Sequence, residues 1–144
     1  MDEPTLFTKI IRGEIPSSKV AEGDLWYAFL DIYPRRAGHT LVVPKEQGQR
    51  ISELSSESRQ ALMEGVVEVQ RRLTAEFGTR DFSVGIHDGP TAGQEVPHVH
   101  IHVCPRTFGD GGLTLLACWP DSPPPGGDPD FASLSILSER LQSH

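Results

Sequence analysis

Apolar positions along this chain repeat with two different periods. Leu62, Val66, Val69, Leu73 and Phe77 fall one helical turn apart and mark a single buried stripe on a helix over 56–77. Ser55 or Ser56 can cap its start, and Gly78 its end. Elsewhere the period is two. Phe82, Val84 and Ile86 alternate with Ser83, Gly85 and His87, which predicts a half-buried strand. Val99, Ile101 and Val103 alternate with His98, His100, His102 and Cys104, which predicts another over 98–104. "IPSSKV" leads into a strand pair that turns at Glu22–Asp24 and returns through "LWYAFLDI" (25–32). "HTLVVPK" (39–45) is a further strand, ended by Pro44, which has no N–H for a ladder. A short helix over 4–12, capped by Asp2 or Glu3 and stopped by Gly13, turns Leu6, Phe7 and Ile10 inward.

Antiparallel strands with one long helix among them make an α+β domain. Its aliphatic strand face belongs against the long helix, so the imidazoles of 98–104 point the other way, into a cleft or an interface. After Arg106 the pattern decays. "PDSPPPGGDPD" (120–130) reads as an extended linker, and 131–141 as a short helix. The chain therefore divides into a domain over 1–119 and a Pro/Gly-rich C-terminal extension over 120–144.

Composition narrows the function. A formal charge of −7 among 144 residues, with a pI near 5.3, argues against a surface that binds nucleic-acid backbone. A small phosphate compound can still be held by local backbone amides. No apolar run is long enough for a membrane span, and "MDEPTLFTK" lacks the basic and apolar regions of a secretory leader. Cys104 and Cys118 cannot build a disulfide framework and read as reduced thiols of a cytoplasmic protein.

Three of the six histidines stand at alternate positions in "HVHIHV". A merely solvated face would more often carry Lys, Thr, Glu or Ser. A metal reading has His98, His100 and His102, with Cys104 as a further ligand, but neither CxxC nor HExxH accompanies them. In a phosphoryl-transfer reading one imidazole is a nucleophile, a second donates to phosphate oxygens, and the small-residue loop "DGPTAGQ" lets backbone approach an anion.

The stretch "AGQEVPHVHIHV" resembles the histidine triad pattern of alternating histidine and apolar residues that defines the histidine triad nucleotide hydrolases and transferases. "LFTKIIRGEIPSSKV" and "AFLDIYPRRAGHTLVVPK" resemble the nucleotide-binding branch of that superfamily. "DGPTAGQEVPHVHIHVCPR" is similar to the branch that cleaves dinucleoside polyphosphates. The resemblance covers about Leu6 to Arg106 and implies an antiparallel sheet of about five strands with one long and one short helix. It implies His100 as the nucleophile that becomes nucleotidylated, His102 as a donor to the α-phosphate or bridging oxygen, His98 as an orienting group and His39 as a fourth member of the cluster. Asp31 would take the ribose hydroxyls, and Phe7, Ile10 and Ile32 would flank the base. Gly93 and Gln94 would belong to the phosphate loop.

Three departures matter. His87 stands where the superfamily often has Asn or Gln. Glu95 replaces a common Ser or Thr; its carboxylate should turn away, leaving its N–H to bind. Thr5 and Thr8 occupy the positions of a Cys-x-x-Cys zinc pair found in many bacterial relatives, so no metal site is implied. The resemblance thus implies cleavage between the α- and β-phosphorus of a dinucleoside polyphosphate, with no required cofactor beyond Mg²⁺ carried by the substrate, in a two-fold homodimer. A nucleoside phosphoramidate hydrolase, or a monophosphate sensor with little turnover, are its rivals.

Overall fold

The computed structural model describes residues 3–144. Five strands form one antiparallel sheet in the order β1-β2-β3-β5-β4: β1 (Lys19–Glu22), β2 (Trp26–Leu30), β3 (Thr40–Pro44), β4 (Asp81–Gly85) and β5 (Ile101–Arg106). Two helices accompany it, α1 (Leu6–Ile11) and α2 (Ser56–Phe77). The α+β prediction holds.

The central strands are covered on both faces, and the side-chain period of two sorts their residues between two cores. Trp26, Ala28, Val42, Val99, Ile101 and Val103 join Leu62, Val66, Val69 and Leu73 of α2 in the larger one. Tyr27, Phe29, Leu41 and Val43 point the other way and meet Phe7 and Ile10 of α1. Helix α2 comes close because it carries Gly65 where it crosses the sheet. A Cβ there would lie 2.8 Å from the Trp26 ring and 2.9 Å from Val42 Cγ1. Its ends are as predicted: the Ser55 side chain accepts from Ser58 N–H, and Gly78 closes the helix with φ +77°.

Several boundaries differ from the sequence pattern. Helix α1 is capped by Thr5, whose hydroxyl accepts from Thr8 N–H, rather than by Glu3; Asp2 lies outside the described residues. Leu6 is 44% exposed while Phe7 and Ile10 are buried, because six residues can bury only one narrow face. Phe77, at the end of its stripe, is half open. Strand β4 stops at Gly85, short of His87, and is an edge strand, so Val84 stays exposed. The strand expected over 98–104 begins only at Ile101. Val99 donates its N–H to Gly48 O, and His98 donates its N–H to Val96 O, so 98–100 are held outside the ladder.

The chain divides between Gly112 and Leu113 into two compact units, upstream of the linker where the sequence placed the change, because every residue from 111 onward is exposed. Within the second unit, α3 (Phe131–Gln142) is capped by the Asp130 carboxylate, which accepts from Ser133 N–H. Among the described residues no helix is long and apolar enough to cross a membrane.

Candidate functional site

The histidines gather on the α1 side of the sheet. Leu41 of β3 faces His102 of β5 in register, which puts His102 on the side of the smaller core. Ring centroids of His102 lie 5.0 Å from His100, 5.2 Å from His39 and 5.4 Å from His87, so His102 is the hub of four imidazoles. Phe7 of α1 meets His100 edge-on at 5.0 Å and His98 at 5.7 Å.

Hydrogen bonds fix the tautomers of His39, His98, His100 and His102, since a neutral imidazole has one donor and one acceptor. Arg35 donates its backbone N–H to His39 Nδ1 (3.1 Å). The His39 proton therefore sits on Nε2, which points at His102 Nδ1 2.9 Å away. His102 in turn carries its proton on Nε2, a buried atom with no hydrogen-bond partner among the described residues. An unpartnered buried donor costs about 1–3 kcal/mol, which an acceptor oxygen of a ligand would recover. For His100 the assignment is as firm: Nδ1 donates to His98 O at 2.7 Å, leaving the lone pair on Nε2. His98 is fully buried and donates from Nε2 to Pro44 O (2.9 Å) while Nδ1 accepts from the Thr5 hydroxyl (2.7 Å).

Burial keeps these rings neutral. It is the main cause that lowers the pKa of His39, His98 and His100 below the usual imidazole value. For His102, burial and then the neighbouring His100, His39 and His87 push it down to about 4. At neutral pH, His102 Nε2–H is thus a hydrogen-bond donor rather than an acid, and His100 Nε2 presents a lone pair of the kind that a base or nucleophile needs.

Asp31 follows β2 and sets one carboxylate oxygen 3.6 Å from His39 Nε2; the other accepts from Tyr33 N–H. Asp31, His39 and His102 together offer three atoms within 4.8 Å, the spacing of a metal site. The hydrogen bonds oppose that use. A metal on His39 Nε2 would force a proton onto Nδ1, straight against the Arg35 N–H.

The remaining predicted residues divide. His87 is exposed at the rim and packs against Gly93, where a Cβ would stand 3.4 Å from its ring. The loop before the triad is tighter than an open cradle. Gly93 N–H is spent on Pro90 O and Gln94 N–H on Gly89 O, while the Glu95 N–H has no acceptor among the described residues. The Gln94 side chain is buried, donates to Gln49 O and leaves its own oxygen unpartnered. Glu95 is exposed, yet its charge still reaches His100. Ile10 is buried in the smaller core, whereas Ile32 is open to solvent. His98, expected on the cleft face, is instead wholly internal. Thr5, Arg35 and the carbonyls of Pro44 and His98, all absent from the predicted set, hold the rings. Backbone partners leave no side-chain signature in a sequence.

The chain matches the HIT domain family over residues 12–109. It is 45% identical over 109 residues to an uncharacterised HIT-like protein of Methanocaldococcus jannaschii, covering 74% of this chain and 81% of that one. It is 38% identical over 118 residues to the adenosine 5'-monophosphoramidase hnt1 of Schizosaccharomyces pombe, covering 82% and 84%. Among solved structures it is similar to SMU.412c of Streptococcus mutans, with a TM-score of 0.83 and 34% identity over 99% of this chain and 86% of that one.

Proposed function

The chain belongs to the HIT family, and from that premise we propose that it hydrolyses nucleoside phosphoramidates and related nucleotides at the α-phosphorus. The observation that carries this reading is the tautomer of His100, whose Nδ1–H donates to His98 O so that Nε2 presents its lone pair. That nitrogen attacks phosphorus; a P–N bond to His100 forms as the bond to the leaving group breaks, and a departing amine takes its proton from solvent. Water then displaces His100, gives up a proton to solvent and releases the nucleoside monophosphate. His102 Nε2–H, buried and unpartnered, donates to the phosphoryl oxygen on which charge grows. Asp31, at the mouth of the cluster, accepts from ribose hydroxyls. The free Glu95 N–H meets an α-phosphate oxygen while the carboxylate stays in solvent. No metal enters the covalent step, and Mg²⁺ arrives only on a polyphosphate substrate.

The leaving group is the finer question. Similarity to a monophosphoramidase favours an amine. A second reading, cleavage of dinucleoside polyphosphates, draws on the "DGPTAGQEVPHVHIHVCPR" stretch and on His102. With its pKa near 4, that ring offers no proton at pH 7, which suits a nucleotide that departs as an anion better than an amine that must be protonated. Turnover of an adenosine phosphoramidate and of diadenosine tetraphosphate by the same preparation, with and without chelator, tests both. Preference for the phosphoramidate, unchanged by chelator, supports the first; preference for the tetraphosphate replaces it with the second. Loss of activity in chelator with recovery on zinc, or tight monophosphate binding with neither substrate cleaved, overturns both.

A two-fold homodimer fits the surface. Met63 and Val67, one turn apart on α2, are 57% and 59% exposed, and the edge strand β4 presents Val84 beside its unpaired backbone. Sedimentation at low protein concentration tests it. Cys104 and Cys118 are both free thiols, in keeping with a reducing compartment.

A further inference from the structure

Behind the triad lies a second polar cluster that none of the steps above uses. Thr5, Thr8 and Gln47 meet His98 where α1 approaches the loop after β3. Thr8 donates its hydroxyl proton to Gln47 Oε1 at 2.6 Å, and Thr5 N–H donates to the same oxygen at 2.9 Å. Gln47 Nε2 is tied to Glu3 O at 2.8 Å, which fixes which end of the amide is oxygen. The Thr5 oxygen accepts from Thr8 N–H as the helix cap. Its single proton can go to Thr8 Oγ1 at 3.1 Å or to His98 Nδ1 at 2.7 Å. Pro44 O can only accept, so it claims the His98 Nε2 proton and leaves Nδ1 as a lone pair. The Thr5 proton therefore belongs to His98. The chain does not stop there, because the His98 carbonyl receives the Nδ1–H of His100.

We propose that Thr5, held by Thr8 and Gln47, is a positioning residue for His100: by donating to His98 Nδ1 it completes, together with Pro44 O on Nε2, the neutral form of His98 and fixes the pose of the 98–100 segment, and so keeps the His100 lone pair on Nε2. This rests on His100 as nucleophile only for its kinetic consequence; the tautomers themselves can be read without any substrate. The distances make the role directional. Thr5 carries the hydroxyl that both caps α1 and reaches a triad ring, so the helix start and the site share one oxygen.

Histidine ¹⁵N–¹H correlation spectra of the full-length protein test it. In the wild type, His98 should show a proton on Nε2 alone and His100 on Nδ1 alone. Thr5→Ser keeps the hydroxyl and should reproduce both patterns and the wild-type kcat. Thr5→Asp keeps the cap acceptor but has no proton to give. His98 should then carry a proton on Nδ1 as well as on Nε2, the His100 pattern should become mixed, and kcat should fall about tenfold or more with KM changed by less than about threefold. A Thr5→Asp protein with unchanged imidazole spectra and kcat within about twofold of wild type overturns the proposal. So does a wild-type spectrum with the His98 proton on Nδ1, which needs no variant to fold. If the spectra follow the expectation but neither substrate is turned over by the wild type, the positioning network stands and the assigned activity fails.

Discussion

The two faces of the 98–103 segment are built from alternate residues of one short stretch, yet they are held by different physics. On one face Val99, Ile101 and Val103 press into α2 and its partners, and each contributes about 1.5–3 kcal/mol by leaving water. That face needs the right volume and little else. On the other face His98 and His100 are also withdrawn from solvent and His102 is half-buried, but every buried ring nitrogen must find a partner or cost about 1–3 kcal/mol. The apolar face is a matter of shape. The histidine face is a matter of proton bookkeeping, and among the described residues its one unbalanced ring donor, His102 Nε2–H, is where the proposed ligand is placed.

Substitutions can separate the two. The largest effect is expected from His100→Asn. It removes the attacking nitrogen but keeps a donor near His98 O, so turnover should drop by about 10³-fold or more while monophosphate affinity stays within about tenfold. Steady-state rates beside calorimetric titration check this, and a wild-type rate removes His100 from the chemistry. Asp31→Ala comes next. Ribonucleotide affinity should weaken about 10–100-fold through lost charge-assisted hydrogen bonds, while a 2′,3′-dideoxy analogue is spared; equal losses on both would detach Asp31 from the ribose.

On the apolar face the readout changes from activity to stability. Gly65→Ala drives a methyl into the Trp26 ring and Val42, and should cost about 1–3 kcal/mol in urea unfolding with kcat nearly unchanged. A large kcat loss at wild-type stability would mean that the faces are not independent.

Acid probes the histidine face through stability as well. The unfolded His102 titrates near 6.5, the folded one near 4. Below pH 6.5 the unfolded chain binds a proton that the folded ring refuses, so unfolding is favoured as pH falls. Stability should decline by up to about 1.4 kcal/mol per pH unit from this residue between 6.5 and 4, then level off. His39, His98 and His100, shifted the same way, add to the slope. Denaturation midpoints at pH 7 and 5 measure it; a midpoint higher at pH 5 would mean that the cluster is charged in the folded state.

Much of this is legible in the sequence. The ends of α2 lie at Ser55 and Gly78 because local rules place caps there. The alternation of Val99, Ile101 and Val103 with histidines tells which side packs against α2, since strand geometry leaves no other option. Ranges set by long-range partners were not legible. Strand β5 starts at Ile101 rather than His98 because Gly48 takes the Val99 N–H, and Leu6 and Val84 stay open because a short helix and an edge strand lack a second cover.

The same division holds for chemistry. By itself the sequence determined which groups are available: the histidine row, His39, Asp31 and a family to which they belong. Only the tertiary structure decided where each proton sits, because that depends on carbonyls and amides from Pro44, Arg35 and His98 and on a hydroxyl 93 residues away at Thr5. Side-chain identity is written in the chain; the facing of a lone pair is settled by what folds against it.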